Sequence, residues 1–457
     1  MGGDVHIGCG AGFAGDRFDA AVPVVETLAR HDGPRYLIYE VMGERTLAIA
    51  QRLRRVNPDA GHSPYLERYL SRTLAACKRH GIRIVTNMGN ANPLGAARRV
   101  HALARDLGID GLRVAAVLGD DLLTFMSPAE VAALPVVEGI GLGDADIVAA
   151  NAYLGARPVA DALATGADVV LVGRTTDAAL VLGPLLHEFG WAADDWDRLA
   201  VGTVAGHLLE CAGQVTGGYF CDPGFKDVPD LAKLGFPIGE VSPDGDVVIG
   251  KADGTGGQVS RATVCEQLLY EVHDPGAYLT PDVVLDMREV TLEQDGDDRV
   301  RVRGARGAPA PDTLKATVSV EGGWLGEATM AYAGPNALAR ARLAADVLRD
   351  RSGTIAPAET VRVEVLGTGA VFGNDAGEGP SYRGTPQWGE YLVRAAVRSA
   401  DGAAVQAVVD EVQSLFCSGP AGGGGFRGGV SEQIRTASVL VPRAPVESRV
   451  RVEEVPS

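Results

Sequence analysis

The stretch VHIGCGAGFAGDRFDAAVPVVETLARHDGPRYLIYE (5–40) decides how the chain is expected to begin its fold. Val5–Cys9 is a short β-capable segment that leads into a G-x-G-x-x-G loop, GAGFAG (10–15). Apolar residues recur every three or four positions in Asp16–Arg30, which predicts a helix, and a second predicted strand ends at Glu40. Such a βαβ unit binds a dinucleotide when the glycine amides hold its pyrophosphate and the acid holds a ribose. The alternative is a glycine turn that packs helix on strand or binds another anion.

The composition is that of a globular protein with two or three domains. The chain has 457 residues, which exceeds one ordinary hydrophobic core. Its formal charge of −17 and its aromatic content of 5% argue against a nucleic-acid or anionic membrane partner. No apolar run approaches the roughly 20 residues of a membrane span. The six cysteines contain no C-x-x-C pair, so we expect reduced cysteines and a cytoplasmic location. We also expect a homo-oligomer.

Residues 1–200 alternate between predicted strands and predicted helices. After the opening unit, strands are predicted at Ile82–Thr86, Leu112–Leu118 and Asp168–Val172, and a helix precedes each of them. This alternation predicts an α/β fold with a doubly wound, mostly parallel sheet of the Rossmann-like type. Ligands of such sheets bind outside the carboxyl ends of the strands, so the loops that follow the strands are expected to form the site.

Three asparagines follow one of these strands directly. The loop NMGNANP (87–93) places Asn87, Asn90 and Asn92 after Ile82–Thr86. Their amides would orient the carbonyl oxygens of a substrate. The alternative is that the Asn and Gly residues make the turn and cap the next helix.

A charged loop follows the strand Asp168–Val172. The segment GRTTD (173–177) contains Arg174 and Asp177 and opens a predicted helix. A guanidinium beside a helix N-terminus gives an anion a forked donor and free amides, so Arg174 is the favoured anion ligand. Alternatively, Arg174 and Asp177 pair with each other and cap the helix.

The most chemically distinctive predicted helix is VGTVAGHLLECAGQV (201–215). If this segment is helical throughout, His207, Glu210, Cys211 and Gln214 lie on one face. The face would supply a proton-transfer pair and an amide that orients the substrate. Two ligands on one helix without a third are a weak zinc signal, and we expect no metal. The alternative is an inter-domain helix with a satisfied polar face.

Residues 201–283 are expected to complete the site as a helical and loop segment, and residues 284–457 to form a second domain. The order of predicted elements in 284–457 is β-α-β-β-α-β, which is typical of an α+β ferredoxin-like domain. Glycine-rich insertions interrupt it at 373–380 and 417–429.

The second insertion contains Cys417, Gly423 and Gly424. We interpret it as a ligand loop, because glycine runs inside a domain are more typical of binding loops than of linkers. Cys417 precedes many free amides and is a candidate nucleophile, and the alternative is an inert buried thiol.

Several short motifs occur in a fixed order along the whole chain. They are GAGFAGDR (10–17), VTNMGNANP (85–93), ANAYLGARP (150–158), LVGRTTDAAL (171–180), GHLLECAGQVTGGY (206–219), LGFPIGEV (234–241), TGGQVS (255–260), QLLYEVHDPGAYLTPDV (267–283) and SGPAGGGG (418–425). With these motifs the chain resembles, from end to end, the acyclic terpene utilisation AtuA-like family, long catalogued as a domain of unknown function. The resemblance implies a role in degrading branched acyl-CoA thioesters by carboxylation, hydration and cleavage. It assigns no catalytic residue.

The residues and the resemblance together lead us to expect an enzyme that acts on a carboxylate or acyl-thioester substrate by acid/base chemistry, of the hydratase/dehydratase or C–C lyase type. The candidate catalytic residues are His207, Glu210, Glu40 and Cys417. The residues expected to bind the substrate or its anionic group are Gly10, Gly12, Gly15, Arg17, Asn87, Asn90, Asn92, Arg174, Asp177, Gln214, Gly423 and Gly424.

Two other functions remain open. We expect either no cofactor or only the CoA moiety of the substrate, but an NAD(P)-dependent oxidoreductase would use the GAGFAG loop with Glu40. A non-catalytic subunit would bind an acyl group for a partner enzyme. For the favoured enzyme, His207→Ala is expected to abolish activity with little loss of melting temperature, since a catalyst on an open helix face has no structural role.

Overall fold

The chain forms two compact units, and both mix helices with strands. The computed structural model describes residues 3–143, 145–368 and 388–457. The larger unit consists of Met1–Ser319 and Thr436–Ser457, and the smaller unit is Val320–Arg435. The α/β class predicted from the sequence is confirmed.

Twelve α-helices occur in the described part of the chain. They are α1 (Ala21–Leu28), α2 (Glu44–Val56), α3 (Leu66–His80), α4 (Pro93–Asp106), α5 (Pro128–Ala132), α6 (Arg157–Ala164), α7 (Ala179–Phe189), α8 (Trp196–Glu210), α9 (Arg261–Leu268), α10 (Ala337–Ile355), α11 (Gly402–Ser418) and α12 (Arg443–Glu447). Most bury one apolar face, as α3 does with Leu66, Leu70, Leu74 and Cys77. None of these helices has both the length and the hydropathy that crossing a bilayer requires.

Nineteen strands accompany these helices in the described residues. They are β1 (Val5–Cys9), β2 (Arg35–Tyr39), β3 (Arg83–Thr86), β4 (Val114–Leu118), β5 (Val136–Gly139), β6 (Ile147–Ala152), β7 (Val169–Leu171), β8 (Pro237–Val241), β9 (Val247–Lys251), β10 (Tyr278–Leu279), β11 (Val284–Asp286), β12 (Thr291–Gln294), β13 (Val300–Arg303), β14 (Arg306–Ala308), β15 (Thr313–Pro335), β16 (Val361–Leu366), β17 (Trp388–Ser399), β18 (Gly424–Pro442) and β19 (Arg451–Val455).

The larger unit is built around a ten-stranded sheet with the order β12-β13-β9-β8-β1-β2-β3-β7-β4-β19. The pairings from β1 through β2, β3 and β7 to β4 are parallel. The strands on both sides of this block pair antiparallel. The sheet is therefore mixed rather than mostly parallel. Two of the antiparallel pairs, β8–β9 and β12–β13, are hairpins of successive strands, and the turn between β8 and β9 is closed by a 3.0 Å hydrogen bond from Ser242 N to Asp246 O. The other antiparallel pairs, β1–β8, β9–β13 and β4–β19, join segments that are distant in the sequence.

The parallel block brings several polar loops to one edge of the sheet. The glycine loop follows β1, Glu40 follows β2, Asn87 follows β3 and Arg174 follows β7. The loop after β4 joins them, because the Asp120 carboxylate accepts a 2.9 Å hydrogen bond from the Arg174 backbone amide. Carboxyl ends of parallel strands meet at one edge, so the chain topology itself assembles these side chains.

The smaller unit runs from the second part of β15 through α10, β16, β17 and α11 into the first part of β18. Its strands are ordered β16-β17-β15-β18, and β17 pairs antiparallel with both of its neighbours. Small residues on α10, such as Ala341 and Ala345, pack with Val405 and Val412 of α11 in one apolar core. The predicted division at residues 200 and 283 stays a prediction, and both of those positions lie within the larger unit.

Two local expectations differ from the structure. The predicted helix 201–215 ends at Glu210, and a 3-10 turn, Ala212–Gln214, follows. The glycine-rich stretch 417–429 is not a loop throughout, because α11 continues to Ser418 and β18 begins at Gly424. The other insertion, 373–380, lies outside the described residues.

Candidate functional site

A cavity of about 620 Å³ lies in the larger unit, where the polar edge of the sheet meets the end of α8. This volume is in the range of small-molecule sites. Seven of the residues predicted from the sequence line it: Gly12, Arg17, Glu40, Arg174, Asp177, Glu210 and Gln214. The residues of different strands and helices that were expected to act together are therefore neighbours.

His207 and Glu210 form a pair in the last turn of α8. Nδ1 of His207 lies 3.1 Å from Oε1 of Glu210, and Nε2 lies 3.2 Å from the carbonyl oxygen of Leu268. A carbonyl oxygen only accepts hydrogen bonds, so Nε2 carries a proton and donates a hydrogen bond to the carbonyl oxygen of Leu268. Nδ1 of His207 and Oε1 of Glu210 then make a favourable contact only when one proton lies between these two atoms. The pair therefore holds a shared proton next to the cavity.

The surroundings favour keeping this shared proton on the pair. Burial raises the pKa of Glu210 to about 7, although the hydrogen bond and charge of His207 oppose the rise. Burial disfavours a charge on His207, but the hydrogen bond and charge of Glu210 outweigh it and raise the pKa of the imidazole. Glu210 can thus exchange its proton near neutral pH.

His207 itself is 1% exposed and does not line the cavity. Its ring packs against Tyr278 at 5.5 Å between centroids, and its backbone carbonyl accepts a 3.0 Å hydrogen bond from Gln267 Nε2. This burial changes the expectation for His207→Ala, because removing the ring leaves buried polar groups unpaired. The alanine variant should lose stability as well as activity.

Glu40 is a second buried carboxyl group in the cavity wall. Its Oε1 accepts hydrogen bonds from Met42 N at 2.8 Å and from Asn87 Nδ2 at 2.9 Å. Burial raises the pKa of Glu40 well above its usual range, and the negative charge of Asp177 raises it further. Because Oε1 already accepts two hydrogen bonds, a proton on this group belongs on Oε2. Asn87 positions the carboxyl group, since its Oδ1 is fixed by a 2.9 Å bond from Val41 N.

The guanidinium of Arg174 is committed to the protein. It donates hydrogen bonds to Met42 O, to Thr175 O through two nitrogens, and to Asp177 Oδ1. It also lies over the Tyr153 ring, 4.3 Å from the centroid. These four hydrogen bonds use most of the five N–H groups of an arginine. The sequence allowed Arg174 either to bind an anion or to pair with Asp177, and the structure contains the pair with Asp177. Few N–H groups of Arg174 remain to bind an anion.

The glycine loop is also occupied by the protein. The Gly12 amide donates a 3.0 Å hydrogen bond to Asp16 Oδ2, and Gly10 N donates to Ile38 O at 2.8 Å. A Cβ on Gly12 would lie 2.5 Å from the backbone carbon of Cys211, so glycine is required for the approach of the loop to the end of α8. The first helix begins only at Ala21. The loop therefore packs against α8 rather than opening a helix toward a pyrophosphate.

The remaining predicted binding residues near these strands have structural contacts. Arg17 donates hydrogen bonds to the Leu231 and Ala232 carbonyls. Asn92 caps α4 by accepting from Gly95 N at 2.9 Å. Gly15 adopts a φ of 97°, which marks a turn. Asn90 is buried, and its Oδ1 has no hydrogen-bond partner among the residues that the structure describes.

Three predicted residues lie in the smaller unit and not in the cavity wall. Cys417 is exposed in the last turn of α11, which corrects the expectation of a buried thiol. Gly423 directly precedes β18, and Gly424 is its first residue.

Some cavity residues were not anticipated from the sequence. Tyr219, Tyr270 and Glu271 also line the cavity. Tyr219 and Glu271 have positive φ angles of 60° and 58°, and the Tyr219 and Tyr270 rings meet edge to face at 6.3 Å. Strained backbone of this kind concentrates at functional sites. The available signals were the motifs GHLLECAGQVTGGY (206–219) and QLLYEVHDPGAYLTPDV (267–283), which contain these three residues but were given no binding role.

One family model matches nearly the whole chain. It is described as "Acyclic terpene utilisation family protein AtuA", and the match covers residues 5–452. The resemblance inferred from the short motifs is therefore confirmed. No curated protein and no solved structure matches the chain.

Proposed function

The chain belongs to the acyclic terpene utilisation family AtuA, and from this premise we propose that it is an enzyme that moves protons on an acyl thioester. The reaction would be of the hydratase, dehydratase or C–C lyase type. One observation carries the proposal, namely the cavity-lining Glu210, which His207 holds and whose pKa is raised to about 7. A carboxyl group that titrates near neutral pH serves as both proton acceptor and proton donor.

Glu210 is the proposed base. When the shared proton resides on His207 Nδ1, Glu210 is a carboxylate whose Oε1 is held by the imidazolium. Its Oε2 can then take a proton from the carbon next to a thioester carbonyl, and the electron pair of the broken C–H bond moves toward the carbonyl oxygen as an enolate forms. His207 is a positioning residue in this scheme, because it touches Glu210 and not the cavity.

Glu40 is the proposed partner for the enolate oxygen. A protonated Glu40 would donate a hydrogen bond from Oε2 while Asn87 and Met42 N hold Oε1. A neutral acid aimed at a developing oxyanion lowers the barrier because the donor is already in place when the charge forms. Together, Glu210 and Glu40 would supply the base and the acid from two walls of one cavity.

The charge of the cavity favours a thioester over a free carboxylate as the reacting group. Arg174 and Arg17 are its lining guanidiniums, and both donate to backbone carbonyls. The acidic residues of the lining are Asp16, Glu40, Glu44, Asp177, Glu210 and Glu271. A free carboxylate would meet like charges there. An uncharged thioester carbonyl avoids that repulsion, and the family description makes branched, terpene-derived acyl chains the first candidates.

Fewer observations support the dinucleotide alternative. A pyrophosphate would have to displace the Asp16 carboxylate from the Gly12 amide. This change breaks an existing hydrogen bond, so NAD(P) remains the second candidate.

Hydrogen exchange in D₂O tests the proposal directly. Saturated and unsaturated branched acyl-CoA esters are incubated with the protein, and deuterium at the carbon next to the carbonyl is measured by mass spectrometry. Wild-type protein should incorporate deuterium and Glu210→Gln should not. Glu26→Gln, on the exposed side of α1, is the matched control and should behave as wild type.

Two further measurements, of acyl-CoA binding and of nicotinamide fluorescence, separate the three functions. Tight binding of an acyl-CoA without deuterium incorporation would replace the proposal with a non-catalytic acyl-binding subunit. A change in nicotinamide fluorescence on mixing with NADPH, which Glu40→Gln removes, would instead support the oxidoreductase.

The finer fold assignment is also part of the proposal. In the smaller unit the strands lie in the spatial order β18-β15-β17-β16, and the elements follow one another along the chain as β-α-β-β-α-β. Both features support a ferredoxin-like arrangement. The parallel block β1-β2-β3-β7-β4 supports a Rossmann-like core with antiparallel additions.

A further inference from the structure

A second cluster of reactive side chains lies in the larger unit and plays no part in the proposed reaction. It consists of His6 in β1, His31 in the turn after α1, and Glu240 in β8. β1 and β8 are antiparallel neighbours, and His6 is directly opposite Glu240. One nitrogen or oxygen donor from each of the three residues lies within 4.8 Å of the other two. The sheet register and one turn thus bring together residues far apart in the sequence.

One donor in this cluster lacks a partner. Nδ1 of His6 is buried, and no hydrogen-bond partner for it exists among the residues that the structure describes. Leaving a buried polar atom unpaired costs about 1–3 kcal/mol. The His6 ring stacks on the His31 ring with centroids 4.2 Å apart, which packs the rings but supplies no hydrogen bond. The arrangement therefore lacks a group that the imidazoles could bind.

We propose that His6, His31 and Glu240 bind a divalent transition-metal ion of the zinc type. Two imidazole nitrogens and one carboxylate oxygen suit Zn²⁺, Co²⁺, Ni²⁺ or Cu²⁺ better than Mg²⁺ or Ca²⁺, which prefer oxygen ligands throughout. Three protein ligands leave a fourth position for water or another ligand.

The geometry requires only side-chain movement. Bonds of about 2.1 Å in a tetrahedral site place donors about 3.4 Å apart. Donors that lie within 4.8 Å of one another must then close by about 1.4 Å at most, which rotation of the three side chains supplies. A cavity of about 300 Å³, lined by His31 and Glu240 among others, gives an ion access.

Arg299 is the competitor for this site. Its Nη1 and Nη2 lie 2.7 Å and 2.9 Å from the two carboxylate oxygens of Glu240. The guanidinium neutralises Glu240 in the metal-free protein, and a metal ligated by Glu240 must take over one of these oxygens. The Arg299 side chain is 41% exposed, so it can move into solvent. Removing this arginine should strengthen metal binding.

The test is a metal titration of the full chain after dialysis against EDTA. Co²⁺ is added as the spectroscopic probe, and Zn²⁺ affinity is measured by competition with a chromogenic chelator. We expect one equivalent of metal per chain with the visible absorption of four-coordinate Co²⁺. His31→Gln and His6→Gln should each weaken binding at least tenfold, and Arg299→Gln should tighten it. His80→Gln is the matched control, because His80 is exposed in the last turn of α3.

Several results would overturn the site. These are wild-type binding below half an equivalent, equal losses in His80→Gln and His31→Gln, or weaker binding in Arg299→Gln. His6 lies within a strand, so a His6→Gln protein that fails to fold leaves the decision to His31→Gln and Arg299→Gln. Metal binding is read directly, and the outcome is independent of any activity at the Glu210 cavity.

Discussion

Replacing Glu210 by glutamine should change how the stability of the protein depends on pH. The substitution keeps the shape of a protonated carboxyl group and can still donate a hydrogen bond to His207 Nδ1, but it cannot ionise. The variant therefore fixes the cavity wall in one protonation state. The consequence is measurable without a substrate.

The expected size follows from the pKa of Glu210. Burial raises this pKa from the ordinary 4.5 to about 7, so the folded protein holds the proton more tightly than the unfolded chain does. The resulting stabilisation is fully present below pH 4.5 and is lost as the pH rises through 7. At about 1.4 kcal/mol per pH unit, the loss is about 3 kcal/mol. The raised pKa of His207 acts in the same direction, because its contribution also disappears as the imidazole loses its proton.

The assay compares melting temperatures of the two proteins between pH 5 and pH 8. All other titrating groups are common to both, so the difference between variant and wild type isolates the pair. Relative to wild type, the melting temperature of Glu210→Gln should rise by roughly 3–6 °C across this range.

The control for this experiment is Glu26→Gln, whose side chain is exposed on α1. Its melting temperature should follow that of wild type at every pH. If the difference between Glu210→Gln and wild type stays constant from pH 5 to pH 8, Glu210 does not hold a proton near neutral pH. The proposed base would then be wrong.

Three further substitutions test the packing of the site. Gly12→Ala should lower the free energy of unfolding by about 1–3 kcal/mol, since its Cβ would meet the backbone after α8, whereas Gly141→Ala, whose Cβ would have no atom of the described residues within 4 Å, should have little effect; thermal unfolding distinguishes them. Arg174→Lys should cost about 1–3 kcal/mol in the same assay, because a lysine keeps the charge but cannot make the forked hydrogen bonds to Met42 O and Thr175 O, and unchanged stability would show that these hydrogen bonds do not stabilise the fold. Asn92→Ala should cost about 1 kcal/mol through loss of the α4 cap, measured by chemical denaturation, and a neutral result would return Asn92 to the list of substrate contacts.

Local periodicity was sufficient to predict many elements of the fold. β1 has the predicted bounds Val5–Cys9, and β4 (Val114–Leu118) lies within the predicted strand Leu112–Leu118. Both segments have a clear apolar pattern of their own. β6 was missed because its residues Ile147–Ala152 are buried throughout and show no alternation. The antiparallel additions to the sheet depend on pairings between distant segments, which periodicity does not encode.

The position of the site was more predictable than the roles of its residues. Parallel strands place their following loops at one edge, so Glu40 and Arg174 could be grouped from the order of elements alone. Whether each group is free for a ligand depends on partners distant in sequence. Arg174 donates a hydrogen bond to Met42 O, and Asn87 donates one to Glu40. The spacing of a motif carries no information about such contacts.

The end of α8 explains why Glu210 and His207 form an acid/base pair at this place. A helix that continued to Val215, as the sequence predicts, would leave Glu210 in its interior, but α8 ends at Glu210 itself. The C-terminal end of a helix carries partial negative charge, which disfavours a carboxylate and favours an imidazolium. Burial is the larger effect on Glu210, and the helix end acts in the same direction. Gly12 lies close to the backbone directly after Glu210, where a Cβ would be 2.5 Å from the backbone carbon of Cys211. The glycine loop that suggested a dinucleotide therefore packs against the end of the helix that carries the proton-sharing pair.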